Sequence, residues 1–492
     1  MKRVPSGIVP LISLDRRSPQ PLHRQIYNAY RSAILSGRLR AGEPVPSTRV
    51  LAAEIHVSRF PVLNAYAQLL AEGYFEGRVG AGTIVSKSLP DQITTGSPPT
   101  VARGLVRRAP RRVAKMAAVL PPPTRFKWSY QSGAFRVGLI AFDQFPLRLW
   151  ASLVARHCRN STARSFHYGH TLGSFALREA IANYLKIARS LHCTPEQVMI
   201  VSGSQQALDM SVRVLLDPGS SVWVEEPGYR LARDVLSLIG CRAVPVPVNE
   251  EGLDVAIGIK RCPHARAAFV TPSHQFPLGV TMSATRRLQL IEWAQRSGAW
   301  ILEDDYDSEY RYESHPISSL QGLDANSRVI YIGTFSKVLF PSLRLGYLVV
   351  PPDLVDHFQN VRWVMDLCPT ALYQDVLADF ISEGHFARHI RRMRSHYGEL
   401  RTCMVDSLHQ ELGSMVQVMG DKAGMHVTVI LKKGRDTEIA KRAALQGLSL
   451  WPLSPSYMSP APRQGFILGF AGVSKADIPK AVRKIRNLLA SD

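Results

Sequence analysis

From Trp128 to the C-terminus, short apolar runs of strand character alternate with longer runs of helical period, and this alternation constrains the fold more than anything else in the chain. VMIVSGS precedes QQALDMSVRVLL, and SVWVEEPGY precedes LARDVLSLIG. ARAAFVTPSH follows, TRRLQLIEWAQRSG leads into AWILEDDYD, and RVIYIGTFSK completes the set. Strands joined to their neighbours through helices predict an α/β domain with a mostly parallel sheet over 128–492.

In such sheets ligands sit beyond the carboxyl ends of the strands, so the informative residues are those just after each apolar run. They are Gly203-Ser204-Gln205-Gln206, Tyr229, His274-Gln275, Asp304 with Tyr306, and Thr334-Phe335-Ser336-Lys337 with Arg344. Singly, each has an ordinary reading: a strand-to-helix turn, a packing aromatic, an exposed acidic turn, a salt-bridge arginine, a surface lysine. Together they describe one ligand. A phosphate suits the free amides and hydroxyl at Ser204 and Gln205, with Thr334 and Arg344 beside them. A flat ring suits Tyr229, a pyridine nitrogen that must stay protonated suits Asp304, and an aldehyde suits the amine of Lys337. The set predicts pyridoxal 5′-phosphate (PLP) held as a Schiff base on Lys337, a role open to lysine because desolvation lowers its pKa.

The front of the chain reads differently. PLHRQIYNAYRSAILSGRLR predicts a helix over roughly 20–36, with Leu22, Ile26, Tyr30, Ala33 and Ile34 on one face. Ser47 is a candidate cap for a short second helix ending near His56. Ser58 caps a third that tolerates Pro61 in its first turn. Two helices this close predict a helix-turn-helix, and FEGRVGAGTIVS after them predicts two short strands about a glycine-rich turn, a wing. Such a module sets the start of its second helix in the major groove and holds phosphates with amides and cations. Arg49, Ser58 and Arg59 are placed for that, with Arg78 and Gly80 at the adjacent groove. A plain helical bundle with solvated arginines is the alternative.

Charge supports the first reading. The net charge is +21; residues 1–87 carry 12 Lys/Arg against 5 Asp/Glu, and residues 88–127 carry 8 against 1. A basic front on a nearly balanced body points to a polyanion partner for the front alone. Residues 88–127, with prolines at 90, 98, 99, 110 and 121 to 123, read as a linker whose RRAPRR core is either solvated spacer or a phosphate-tracking strip. Six scattered cysteines, Cys158, Cys193, Cys241, Cys262, Cys368 and Cys403, show no metal spacing and read as reduced thiols, so no metal is expected. No run approaches the roughly 20 apolar residues of a membrane span, and a cytoplasmic protein is expected.

Residues 21–86 closely resemble the GntR family of winged-helix regulators, through PLHRQIYNAYRSAILSGRLRAGEPVPSTRVLAAEIHVSR and LLAEGYFEGRVGAGTIVS. Phe60-Pro61 departs from the small polar pair usual after the arginine. Residues 128–492 resemble a fold-type-I PLP-dependent aminotransferase domain, through YGHTLGSFALREAIANYL, SGSQQAL, EEPGYR, TPSHQFPLG, EDDYDSEYRY and GTFSKVLFPSLRLGY. Joined, they resemble the MocR type of regulator. The resemblance implies Lys337 as the Schiff-base lysine, Asp304 as partner of the pyridine nitrogen, Arg344, Thr334, Ser204 and Gln205 as phosphate ligands, and Tyr229 as the stacking aromatic. It implies Tyr306 and His274 for the ring hydroxyl side. Ile467 stands where aminotransferases place an arginine for the substrate carboxylate; Arg463, four residues earlier, is the substitute candidate.

The function so expected is a bacterial transcriptional regulator, nucleoid-associated through its DNA binding. It senses PLP, or an amine or amino acid such as γ-aminobutyrate or taurine. The alternatives are an aminotransferase with a DNA-binding appendage, and a purely structural dimer-forming large domain. The resemblance also implies a homodimer on double-stranded DNA with two half-sites.

Overall fold

The computed structural model describes residues 12–78, 82–87, 112–120, 132–312 and 318–490. The chain divides into two compact units, Met1–Arg111 and Arg112–Asp492.

The first unit contains α1 (Leu22–Leu35), β1 (Pro44–Val45), α2 (Thr48–Glu54), α3 (Arg59–Ala71), β2 (Phe75–Arg78) and β3 (Gly82–Val85). The three strands form an antiparallel sheet in the order β1-β3-β2. Ser47 caps α2, its hydroxyl accepting from the Val50 amide at 3.3 Å. The core is aromatic: Tyr30, Tyr66 and Phe75 meet edge to face with centroids 5.1–5.6 Å apart. The buried Tyr66 hydroxyl is satisfied by Pro46 O at 2.9 Å, so this core leaves that polar atom no penalty. The winged helix-turn-helix expected from the sequence is therefore present. Gly80, between β2 and β3 in the sequence, lies outside the described residues.

The second unit begins with a short helix, α4 (Lys115–Val119), inside the stretch read from sequence as linker; it packs on a later helix, α8. Next come α5 (Leu147–Arg159), α6 (Phe175–Arg189), β4 (Val198–Val201), α7 (Ser204–Leu215), β5 (Ser221–Glu226), α8 (Arg230–Ile239), β6 (Arg242–Asn249), β7 (Gly252–Leu253) and α9 (Val255–Arg261). The series continues through β8 (Ala267–Val270), α10 (Ala284–Ser297), β9 (Trp300–Asp305), α11 (Leu320–Leu323), β10 (Val329–Thr334), β11 (Gly346–Val349) and α12 (Val355–Asp366). After α13 (Leu372–Ser382) and the 28-residue α14 (His385–Leu412) come β12 (Val416–Met419), β13 (His426–Leu431), α15 (Asp436–Ala444), β14 (Trp451–Pro452), β15 (Gly465–Gly469) and α16 (Ile478–Ala490).

Eight strands form one sheet in the order β4-β11-β10-β9-β8-β5-β6-β7. β10, β9, β8, β5 and β6 run parallel, whereas β11 is antiparallel to both its neighbours and β7 to β6. Strands such as VMIV and VIYIGT are buried along their whole length, as a sheet covered on both faces requires. A second, antiparallel sheet, β12-β13-β15-β14, carries the C-terminal part. Among the described residues no helix is long and apolar enough to cross a membrane.

Candidate functional site

The carboxyl ends of β4, β5, β8, β9 and β10 open onto one cavity of about 720 Å³, within the ~300–1,000 Å³ usual for ligand sites. Ser204, Gln205, Tyr229, Asp304, Tyr306, Thr334, Lys337 and Arg344 all line it. Residues spread over 141 positions of chain thus converge, because each ends or follows a strand of the same sheet.

At one end, Gly203 closes the turn from β4 and takes φ +111, a conformation that disfavours any side chain. A Cβ there would stand 3.3 Å from Arg344 Nη1. The glycine thus lets the guanidinium lie against the N-terminus of α7, where the first amides of a 12-residue helix point outward. Arg344 itself sits at φ 52, ψ 44, left-handed backbone that is costly for any residue other than glycine and is the kind of strain found at ligand sites. Thr334 Oγ1 accepts from the Ser336 amide at 3.2 Å.

In the middle, register sets Ile332 of β10 beside Asp304 of β9. The Asp304 carboxyl is buried, and its Oδ1 has no hydrogen-bond partner among the described residues. Burial, then the carboxylates of Asp305, Asp307 and Glu225, push its pKa up to about 7. Burial pulls Lys337 below the ordinary lysine value, while Asp307 and Asp304 draw it back up. A Cβ on Gly138 would come within 2.8 Å of Lys337 Nζ, so glycine there, at φ +83, makes room for the amine. A buried carboxyl with one oxygen unpartnered among the described residues, an amine of lowered pKa and a helix start beside an arginine fit PLP in charge and donor type.

His274 does not line the cavity. It stands behind Tyr306, its Nδ1 3.0 Å from Asp307 Oδ2 and 3.1 Å from Tyr306 Oη. His274, Asp307 and His426 bring their polar atoms within 4.8 Å of one another. The contacts among them are those of a carboxylate–imidazole hydrogen bond beside a second imidazole, His426, whose Nε2 lies 3.2 Å from Pro277 O. Arg463 is exposed, its Nη1 4.0 Å from Met419 Sδ, and is not among the residues lining the cavity.

Sequence reading missed Phe276, Asp307, His426, Trp451 and Leu120, all of which line the cavity. Asp307 lay within the acidic motif already singled out. His426 and Trp451 come from the C-terminal sheet, 89 and 114 residues beyond Lys337, and nothing in their local pattern marks them.

In the first unit, Arg49, Ser58 and Arg59 are exposed at the starts of α2 and α3. Arg59 Nε donates to Thr48 Oγ1 at 3.1 Å, tying the two helices, while the Ser58 hydroxyl makes no cap bond. Phe60 is 70% exposed in the first turn of α3.

A winged helix joined to a fold-type-I, PLP-enzyme-like domain defines the class of this protein. Residues 22–85 match the family described as bacterial regulatory proteins, gntR family, and residues 138–485 match aminotransferase class I and II. The chain belongs to the MocR-type regulators within the GntR family. It is 41% identical over 489 residues, 98% of this chain and 95% of the other, to the probable rhizopine catabolism regulatory protein MocR of Rhizobium meliloti. It is 31% identical to the HTH-type transcriptional regulator TauR of Rhodobacter capsulatus, covering 95% of this chain and 96% of that one. Among solved structures, kynurenine aminotransferase of Pyrococcus horikoshii aligns with a TM-score of 0.72 at 27% identity, over 77% of this chain and 97% of that one. The α-aminoadipate aminotransferase LysN of Thermus thermophilus aligns at 0.71 and 29%, with the same coverage.

Proposed function

We propose that this regulator binds operator DNA through its winged helix and takes up PLP in the cavity around Lys337, with occupancy of that cavity setting its affinity for DNA. The observation that carries this reading is the buried Asp304 carboxyl, whose Oδ1 has no hydrogen-bond partner among the described residues, in one cavity with Lys337 and Arg344. Leaving these polar groups buried there without a ligand costs desolvation energy that a bound, oppositely charged ligand recovers.

Each residue has a distinct task. Arg344, Thr334 and the first amides of α7 hold a phosphate; Asp304 keeps a ring nitrogen protonated; Tyr229 covers a ring face; Tyr306, backed by His274, meets the ring hydroxyl. Lys337 supplies the amine, its pKa lowered by burial. PLP, when bound, supplies an aldehyde that combines reversibly with primary amines, so the same cavity can report on a second, amine-bearing ligand. The aminotransferase likeness supports a small nitrogenous ligand. The protein is proposed to act as a homodimer on two half-sites.

Occupancy can regulate only if the ligand has different affinities for two arrangements of the protein. The test is a footprint on the region upstream of the protein's own gene, without PLP, with PLP, and with Lys337→Ala. A footprint that changes with PLP in the wild type and not in the variant supports the reading. No specific footprint in any state, together with sustained transamination by the loaded protein, replaces it with the enzyme.

A further inference from the structure

The cavity is charged at one end and apolar at the other. Among the described residues that line it, the basic side chains are Arg230, Lys337 and Arg344. Arg344 lies against Gly203 at the anion-binding turn. Arg230 is paired with Asp234 at 3.2 Å, one turn along α8. Beyond Lys337 the wall is formed by Val137, Gly138, Phe276, Met425, His426 and Trp451. Phe276 joins it into one aromatic surface, with ring centroids 5.6 Å from His426 and 6.1 Å from Trp451. Ile467, the register partner of Trp451, is apolar and fully buried.

The electrostatics of this wall favour cations. Burial, and then the neighbouring His274, push the His426 imidazole down to about 3, so it is neutral at physiological pH. The carboxylates of Asp304 and Asp307 face the cavity. With Asp304 taken by the ring nitrogen, an ammonium group entering beside Lys337 meets the Asp307 carboxylate, whereas a carboxylate carried with it meets a wall with no counter-charge among the described residues that form it and is desolvated without compensation.

Resting on the PLP-site reading above, we propose that the second ligand of this cavity is a primary amine with an apolar or aromatic body and no carboxylate. This separates it from α-amino acids as a class. Selection arises because the wall pays nothing back for a second, negative group.

The test uses full-length protein loaded with PLP, its PLP content measured first, and calorimetric titration with 2-phenylethylamine and with L-phenylalanine. These differ only by the carboxylate. The amine is expected to bind at least about tenfold more tightly, an uncompensated buried charge being worth that or more. Trp451→Arg, which places a cation on the wall at a position already partly exposed, is expected to reverse the order. Equal or tighter binding of L-phenylalanine to the wild type overturns the inference, as does the absence of heat from both compounds. If the purified protein takes up no PLP, it is the underlying reading that fails, and the PLP content reports this independently of the titrations.

Discussion

Arg344 and Gly203 are 141 residues apart, yet the arginine's Nη1 lies 3.3 Å from where a Cβ on the glycine would stand. That closeness depends on glycine twice, once for its φ of +111 and once for the missing side chain. Gly203→Ala is expected to push the guanidinium off the helix start and weaken PLP binding by about tenfold, the scale of one charge-assisted hydrogen bond. Equilibrium titration of PLP measures it, and an unchanged affinity would separate this turn from the phosphate.

Asp304 makes the cofactor-free fold sensitive to pH. Its folded pKa of about 7 stands above the ordinary 3.8. The native state therefore holds a proton that the unfolded state has released, so this stabilisation is complete below about pH 4 and is lost as the pH rises through about 7. Thermal midpoints of cofactor-free wild type are expected to fall between about pH 5 and about pH 8 more than those of Asp304→Asn, by roughly 2–4 °C for each kcal/mol involved. Parallel curves would mean that Asp304 is ionised throughout.

Phe60 and Arg59 are adjacent on α3, and both are exposed. Arg59→Ala is expected to weaken DNA binding on all sequences and to reduce the salt slope by about one phosphate equivalent. Phe60→Asn is expected to leave the salt slope unchanged and alter preference among half-sites, because an exposed ring at a recognition-helix start reads thymine methyl groups rather than phosphates. Binding to a randomised half-site library at two salt concentrations distinguishes them; a common salt-slope change would remove Phe60 from base readout.

Leu120 lines the cavity just after α4, which packs on α8, with Met116 Cε 3.4 Å from where a Cβ on Gly240 would stand. Leu120→Ser is expected to speed PLP release by roughly threefold to tenfold, since affinity changes within one site fall mainly on the off-rate. Stopped-flow release into a PLP-scavenging apoenzyme measures this, and an unchanged rate would show that the segment does not cover the site.

The residues that were legible from sequence are those whose position relative to a strand end is fixed by the parallel sheet. Lys337, Asp304, Tyr229 and Ser204 follow apolar runs whose order along the chain gives the βα alternation, so their convergence could be inferred without coordinates. β6 was not read as a strand because Pro245 and Pro247 interrupt RAVPVPVN. It tolerates them because it pairs along its length only with β5, and with β7 only at its last two residues. α4 was hidden in a proline-rich stretch, since five helical residues carry too little period to detect. His426 and Trp451 reach the cavity through the packing of the C-terminal sheet, which no local pattern encodes. His274 was placed near the ring hydroxyl on motif alone; its hydrogen bonds put it one layer back, holding Tyr306.

The central claim is that cavity and DNA-binding module share one equilibrium, and linkage gives the most direct test because it is reciprocal. PLP affinity should be measured with and without saturating operator duplex, and with a scrambled duplex as control. The account requires the operator alone to change the PLP dissociation constant, by the same factor as PLP changes operator affinity and within the roughly 5–150-fold range of such couplings. An identical PLP dissociation constant in all three conditions would contradict it and leave two modules that share a chain but not a signal.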